Sequence, residues 1–402
     1  MKYLIVVTDG AGDRPLDSIG GLTALQKADM RYINELAKTG VIGTVKTVPD
    51  NMPPGSDVAN LSVMGYDPAI YHTGRSPLEA ASMGIDMSPT DVAFRCNLIT
   101  LTGEGDYEDL IIHDHSSGDI STKEAAELIQ DVNKHFENEN IKFYPGVSYR
   151  HCMIVKNGDT NYELVPPHDV LEKKAGDYLP KGEGSEFITD MMKKSYEFLS
   201  DHPINRKRAE KGLNPANTVW IWGLGKKPSL SSFYDKYGID GAVISAVDLI
   251  KGIAVCAGLK SIDVPGATGT IDTDYEGKAG AAIELFKDGI DFVYIHVEAP
   301  DECSHQGDLA GKIKSLEFID DRIIKPVGEY LKNSGEDYRI LVVPDHRTPV
   351  EIRTHSSEPV PFVIYDSTDI KERNEINAYN EVAADRGMHF QNGYELTDYF
   401  FR

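Results

Sequence analysis

Met1-Lys-Tyr-Leu-Ile-Val-Val-Thr-Asp9-Gly-Ala-Gly12 opens the chain. Residues 3–8 form a continuous, mostly apolar run with β-branched members, the pattern of a parallel strand covered on both faces. The run stops at an acid followed by glycines. Open α/β sheets gather their ligands outside the carboxyl ends of their strands, so Asp9 is a candidate for chemistry. Met30, Ile33, Leu36 and Ala37 then keep helical spacing up to Gly40, and Val41 to Val48 reads as a second strand.

Two later stretches repeat this grammar. Phe292-Val-Tyr-Ile-His-Val297 runs into Glu298-Ala-Pro-Asp301-Glu-Cys-Ser-His305, and Arg339-Ile-Leu-Val-Val-Pro344 runs into Asp345-His346, with His355 nine residues beyond. Asp301 and His305 are four residues apart, which brings a carboxylate and an imidazole to one side of a helical turn. If all three strands belong to one parallel sheet, Asp9, Asp301 and Asp345-His346 share one edge. Asn51-Met-Pro-Pro-Gly-Ser56-Asp-Val-Ala-Asn60 supplies a hydroxyl on a bend set by two prolines and a glycine, at the start of a helix. Ser56 is the candidate nucleophile, weighed against a simple helix-capping serine. Two divalent cations can then be assigned, one to Asp301, His305 and His355, the other to Asp9, Asp345, His346 and the Ser56 oxygen. Such a pair, ~4 Å apart, would activate the serine and steady an in-line phosphoryl displacement.

Between these stretches the texture changes. From Val92 to about residue 172 short strands surround one helix, which Ser121-Thr-Lys-Glu124 opens as a capping box. This predicts an α+β cap, 92–172, inserted into a core of 1–91 and 173–402. Thr218-Val-Trp-Ile-Trp222 is expected as a core strand, and the Gly223–Lys227 stretch after it is not a P-loop, because the glycine spacing is wrong and no Ser or Thr follows the lysines. Arg75, flanked by Gly74, is placed to grip an anion or to pair with Glu79. His115, Arg150, His151 and His168 fall near cap strand ends and are candidate substrate contacts.

The chain has 402 residues, 41% of them apolar, and a formal net charge of −23. That charge opposes nucleic acid and anionic membrane surfaces as partners. The four cysteines, Cys96, Cys152, Cys256 and Cys303, form no close pair. Together with the lack of a signal peptide or of an apolar run near the ~18 residues of a membrane span, this predicts a cytoplasmic protein.

Asp9-Gly, the Ser56 turn, Asp301-x-x-x-His305, Asp345-His346 and His355 stand in the order seen in the alkaline phosphatase superfamily. More closely, Gly55-Ser-Asp-Val-Ala-Asn-Leu-Ser62, Gly65-Tyr-Asp-Pro68, Thr73-Gly-Arg75, Gly266-Ala-Thr-Gly269 and Thr354-His355 resemble the archaeal-type cofactor-independent phosphoglycerate mutases. The resemblance implies an α/β, alkaline-phosphatase-like three-layer core with a mostly parallel sheet and a smaller cap. It also implies a phosphoserine intermediate at Ser56, two metal ions (Mn2+ or Mg2+, with Zn2+ or Co2+ next) and no 2,3-bisphosphoglycerate, acting on a small phosphorylated substrate. Glu298-Ala-Pro-Asp301, Tyr149-Arg-His151, Pro166-Pro-His-Asp169 and Trp220-Ile-Trp-Gly223 depart from the archaeal pattern and resemble a bacterial subgroup proposed to be homoserine kinases. Phosphoryl transfer from ATP to homoserine is therefore the alternative, and a metal-dependent phosphatase or phosphodiesterase the second.

Overall fold

The opening run forms strand β1 (Lys2–Thr8), whose Leu4, Ile5, Val6 and Val7 are wholly buried in the computed structural model. Residues 1–370 and 378–402 are described. The remaining strands are β2 (Val41–Val45), β3 (Val92–Thr102), β4 (Ile111–Asp114), β5 (Ile141–Tyr144), β6 (Arg150–Val155), β7 (Thr218–Lys226), β8 (Gly241–Ile244), β9 (Lys260–Ile262), β10 (Phe292–Val297), β11 (Tyr338–Val343), β12 (Val360–Asp366) and β13 (Met388–Phe390). They divide between two units, one made of Met1–His72 with Ser229–Arg402, the other of Thr73–Pro228.

The first unit carries an eight-stranded sheet in the order β13-β2-β12-β11-β1-β10-β8-β9. β12 is antiparallel to both neighbours and every other pairing is parallel. Both faces are covered, which is why the strands read as unbroken apolar runs. On one face Leu4, Val6, Val293, Ile295, Ile340 and Val342 join a core with Ile33, Leu36, Ala279, Ala282, Ile319 and Ile323 from helices. The alternate residues Ile5, Val7, Tyr294, Leu341 and Val343 are equally buried, and on that side Tyr294 Oη donates to Asn60 Oδ1 of the helix Ser56–Val63 at 2.5 Å. This is the three-layer α/β core expected. Each fully buried aliphatic side chain contributes about 1.5–3 kcal/mol, so the central strands hold the sheet firmly. Val7 sits level with His296 of β10 and with Val343 of β11. The three central strands thus end together, and the residues that follow them emerge at one edge.

The second unit is wider than the 92–172 expected. Its sheet runs β4-β3-β6-β5, with β7 also paired to β3. β7 lies antiparallel along β3 from Val92–Lys226 to Ile99–Thr218, so the Trp220-Ile-Trp222 run belongs here and not to the core sheet. Apolar patterning shows that a strand is buried without showing which sheet buries it. The helix Glu186–Leu199, which precedes β7 in the chain, packs against it, its Ile188, Met192 and Leu199 lying in one cluster with Val219 and Trp220. Tyr162 to Val165 makes only an isolated bridge, between Glu163 and Lys181. Its Val165 carbonyl instead accepts the Trp220 indole N–H at 2.9 Å. Of the capping box expected at Ser121 one half forms: Oγ accepts from the Glu124 N–H at 3.3 Å, while the Glu124 carboxylate accepts from that same hydroxyl at 2.9 Å in place of the Ser121 backbone N–H. Among the described residues no helix is long and apolar enough to cross a membrane.

Candidate active site

Ser56 is the first residue of the helix Ser56–Val63, delivered by an extended Gly55. It is half-buried, whereas Asp57 to Val63 are all buried. Its Oγ stands 3.2 Å from His346 Nε2. One turn on, the Asn60 amide donates both to the Ser56 carbonyl at 2.9 Å and to Asp345 Oδ2 at 2.8 Å, while its oxygen accepts from Tyr294. The nucleophile's helix is therefore tied to the residue that follows β11.

Asp9 follows β1 and is almost wholly buried. Its Oδ2 lies 3.0 Å from His296 Nε2, and its Oδ1 lies 3.6 Å from His346 Nε2. The turn after it needs glycine. Gly10 has φ +62°, and a Cβ there would come within 2.7 Å of the Asp301 Cα. The Gly10 and His346 N–H groups both donate to Asp345 Oδ1, at 3.1 and 2.8 Å. Around Asp301 a second set closes: His305 Nε2 is 3.1 Å from Asp301 Oδ2 and 3.0 Å from His355 Nε2, and His355 Nε2 is 3.5 Å from Asp301 Oδ1. The Arg353 carbonyl accepts from His305 Nδ1 at 2.9 Å, which aims Nε2 inward.

Burial of so many acids together shapes their protonation. Burial, with the charges of Asp345 and Asp301, raises the Asp9 pKa well above the usual carboxylate range. Burial and the Asp301 charge push Glu298 up to about 7. Burial works against the charged form of Asp301 too, yet hydrogen bonds from His305 and His355 hold it well below the ordinary value. The hydrogen bond to Asp301 lifts His305 to about 9 against its burial, and burial lowers His346. Two groups of donor atoms lie close enough to share an ion, Asp301 with His346 and His355, and Asp9 with Asp345 and His346. Asp9 Oδ1 is a buried carboxylate oxygen with no hydrogen-bond partner, and mixed carboxylate and imidazole donors suit a divalent cation. The residues present fit such ions.

A sequence model described as 2,3-bisphosphoglycerate-independent phosphoglycerate mutase matches residues 37–205. A Methanosarcina barkeri protein of that name is 49% identical over 388 residues, 96% of each chain. The chain belongs to that family. Among solved structures, a Pyrococcus horikoshii protein is 28% identical with TM-score 0.82, over 99% of this chain and 96% of its own. The cofactor-independent phosphoglycerate mutase of Thermoplasma acidophilum is 26% identical with TM-score 0.68, over 100% and 99%. These relatives lend no support to the homoserine kinase alternative.

Within this mutase-family chain, Asp9, Ser56, Asp301, His305, Asp345, His346 and His355 lie together in the first unit. The substrate-contact candidates all fall in the second. There Tyr149, His115, His168 and Trp222 form a chain of edge-to-face rings 5.3–6.0 Å apart. The Arg150 guanidinium lies 5.5 Å from the Tyr149 ring and that of Arg95 4.8 Å from Trp222. Arg75 is the N-cap residue of the helix Ser76–Ser82, and Glu79, one of its two expected partners, is held by Arg95 through Nε at 2.8 Å. His151 departs from expectation. Its ring is buried, and Nδ1 accepts the Gly146 N–H at 3.0 Å, because β6 is covered on both faces from His151 to Ile154.

Sequence reading missed His296, Asn60, Thr348 and Lys312. Lys312 is wholly buried, its ammonium between Asp13 Oδ2 at 2.9 Å and the carbonyls of Gly12 and Thr348 at 3.2 and 2.9 Å. A histidine inside an otherwise apolar strand was a usable signal for His296. The other three carry no signature short of their contacts.

Proposed function

We propose that this chain interconverts 3-phosphoglycerate and 2-phosphoglycerate through a phosphoserine at Ser56. The observation that carries the reading is the half-exposed Ser56 hydroxyl at a helix start, 3.2 Å from His346 Nε2, which itself lies 3.6 Å from Asp9 Oδ1 and 3.5 Å from Asp345 Oδ2. Asp301, His305 and His355 would hold one divalent cation, and Asp9, Asp345, His346 and Ser56 the other. Bound there, the cations lower the serine's pKa and offset charge in the displacement. The donor set favours Mn2+ or Mg2+ for its carboxylates and admits Zn2+ or Co2+ for its imidazoles.

Ser56 Oγ loses its proton and attacks phosphorus, and the P–O bond to one glycerate hydroxyl breaks as that oxygen takes up a proton. The glycerate then turns, and its other hydroxyl, giving up its proton, attacks phosphoserine and returns the Ser56 hydroxyl. Arg75, His115, Arg150 and His168 are proposed contacts for the substrate's anionic groups. The strongly acidic composition agrees with a cytoplasmic enzyme of small metabolites that uses no nucleic acid or membrane. The test is to incubate protein loaded with Mn2+ or Mg2+ with 3-phosphoglycerate and enolase. Phosphoenolpyruvate should form with the wild type and not with Ser56→Ala; no product under either metal overturns the reading.

A further inference from the structure

Thr348 lies outside both donor groups and touches both. Its side chain is wholly buried, with Oγ1 2.5 Å from Asp301 Oδ1 and 3.2 Å from His346 Nδ1. Its backbone is pinned on both sides, since its N–H donates to the Gly12 carbonyl at 3.2 Å and its own carbonyl accepts from Lys312 Nζ at 2.9 Å. The hydroxyl therefore has little freedom to turn elsewhere.

A threonine hydroxyl has one proton to give and lone pairs to receive. An ionised Asp301 can only accept, so the proton goes to Asp301, and the Thr348 oxygen is left to accept from His346. That requires the His346 proton to sit on Nδ1. The lone pair is then on Nε2, which faces Ser56 Oγ at 3.2 Å, Asp345 Oδ2 at 3.5 Å and Asp9 Oδ1 at 3.6 Å. Those two carboxylates pull the other way, because each would be better served by a proton on Nε2. Thr348 is what opposes them.

We propose that Thr348 is a positioning residue that holds His346 in its Nδ1–H tautomer and, through the same hydroxyl, links His346 of one cation set to Asp301 of the other. The proposal rests on the two-cation reading above. Groups that hydrogen-bond to a metal ligand in this way fix its orientation and basicity, and their loss commonly costs about 10–100-fold in metal affinity. Valine matches threonine in shape and lacks the hydroxyl. Serine keeps the hydroxyl and lacks only the methyl.

The test is calorimetric titration of Mn2+ into the metal-stripped full chain. The wild type should take up two ions. Thr348→Val should bind about 10–100-fold more weakly at the weaker-held site, and Thr348→Ser should stay within about threefold of wild type. Valine binding both ions with wild-type affinity overturns the role of Thr348 and leaves the cation reading intact. A wild type that takes up no divalent ion overturns both. Should Thr348→Val fail to fold by circular dichroism, 15N-histidine NMR of the metal-free wild type decides, with His346→Asn used to assign the ring. Protonated Nδ1 with bare Nε2 is the expected result, and protonated Nε2 overturns the proposal.

Discussion

Ser56 occupies the first helical turn and not the cap itself, so its hydroxyl is spared the usual task of satisfying a backbone N–H. Ser56→Ala should lower mutase turnover by at least ~10^4-fold, the scale seen when a covalent nucleophile is removed. Because the side chain is half exposed, stability should change by no more than about 0.5 kcal/mol in urea denaturation. Asn60 is the opposite case. It is buried and satisfies Asp345, the Ser56 carbonyl and Tyr294 at once. Asn60→Ala leaves a buried carboxylate oxygen and a buried phenol without that partner, and should cost about 1–3 kcal/mol of unfolding free energy. A loss below about 0.5 kcal/mol would show that water replaces the amide. The difference between the two also explains what could be read in advance. Ser56 stands after Pro-Pro-Gly, a local signal, whereas the value of Asn60 lies in partners 234 and 285 residues away along the chain.

At the scale of elements, the core was legible because a strand covered on both faces leaves an apolar run and its terminus leaves a polar break. Asp9, Asp301 and Asp345 each follow such a run. The same signal misplaced β7, whose Thr218–Trp222 run is as apolar as a core strand but pairs with β3. β6 carries a consequence of its own. Burial holds His151 down to about 3, and its Nδ1 is already occupied as an acceptor for Gly146 N–H. Unfolded, the ring titrates near 6.5. Between about pH 6.5 and 3 the unfolded chain thus binds one more proton than the folded one, so this group's contribution is intact above about 6.5 and falls by about 1.4 kcal/mol per unit as pH drops toward 3. Denaturant midpoints measured across that window should show the slope in the wild type. His151→Asn, whose amide oxygen can take the place of Nδ1, should flatten it. An unchanged slope in that variant would assign the acid loss to other groups.

For the molecule as a whole, the governing quantity is negative charge gathered where the sheet ends. Net charge is −23, and Asp9, Asp301, Asp345 and Glu298 converge on one buried edge. Nothing in composition distinguishes a diffuse acidic surface from this concentration; only the level ends of β1, β10 and β11 do. The two make different demands on cations. A diffuse surface is relieved by any salt through screening, over a Debye length of about 10 Å at 0.1 M. The edge cluster requires an ion that enters, since the carboxylates of Asp9, Asp301 and Asp345 are buried from bulk screening. Divalent cations that bind only the folded chain stabilise it by RT ln(1 + [L]/Kd), about 2.7 kcal/mol at 100 times Kd for one site. Thermal unfolding of chelator-treated protein should therefore shift upward by several degrees on adding Mn2+, keep rising with its concentration, and return when chelator is restored. NaCl at matched ionic strength should give a smaller, early-saturating shift. In Asp301→Asn the Mn2+ increment should shrink, because one donor set loses its only carboxylate, while the NaCl response stays that of the wild type. Equal responses to Mn2+ and to NaCl in the wild type would mean that the cluster is merely part of the acidic surface, and the two-cation account of Ser56 chemistry would fall with it.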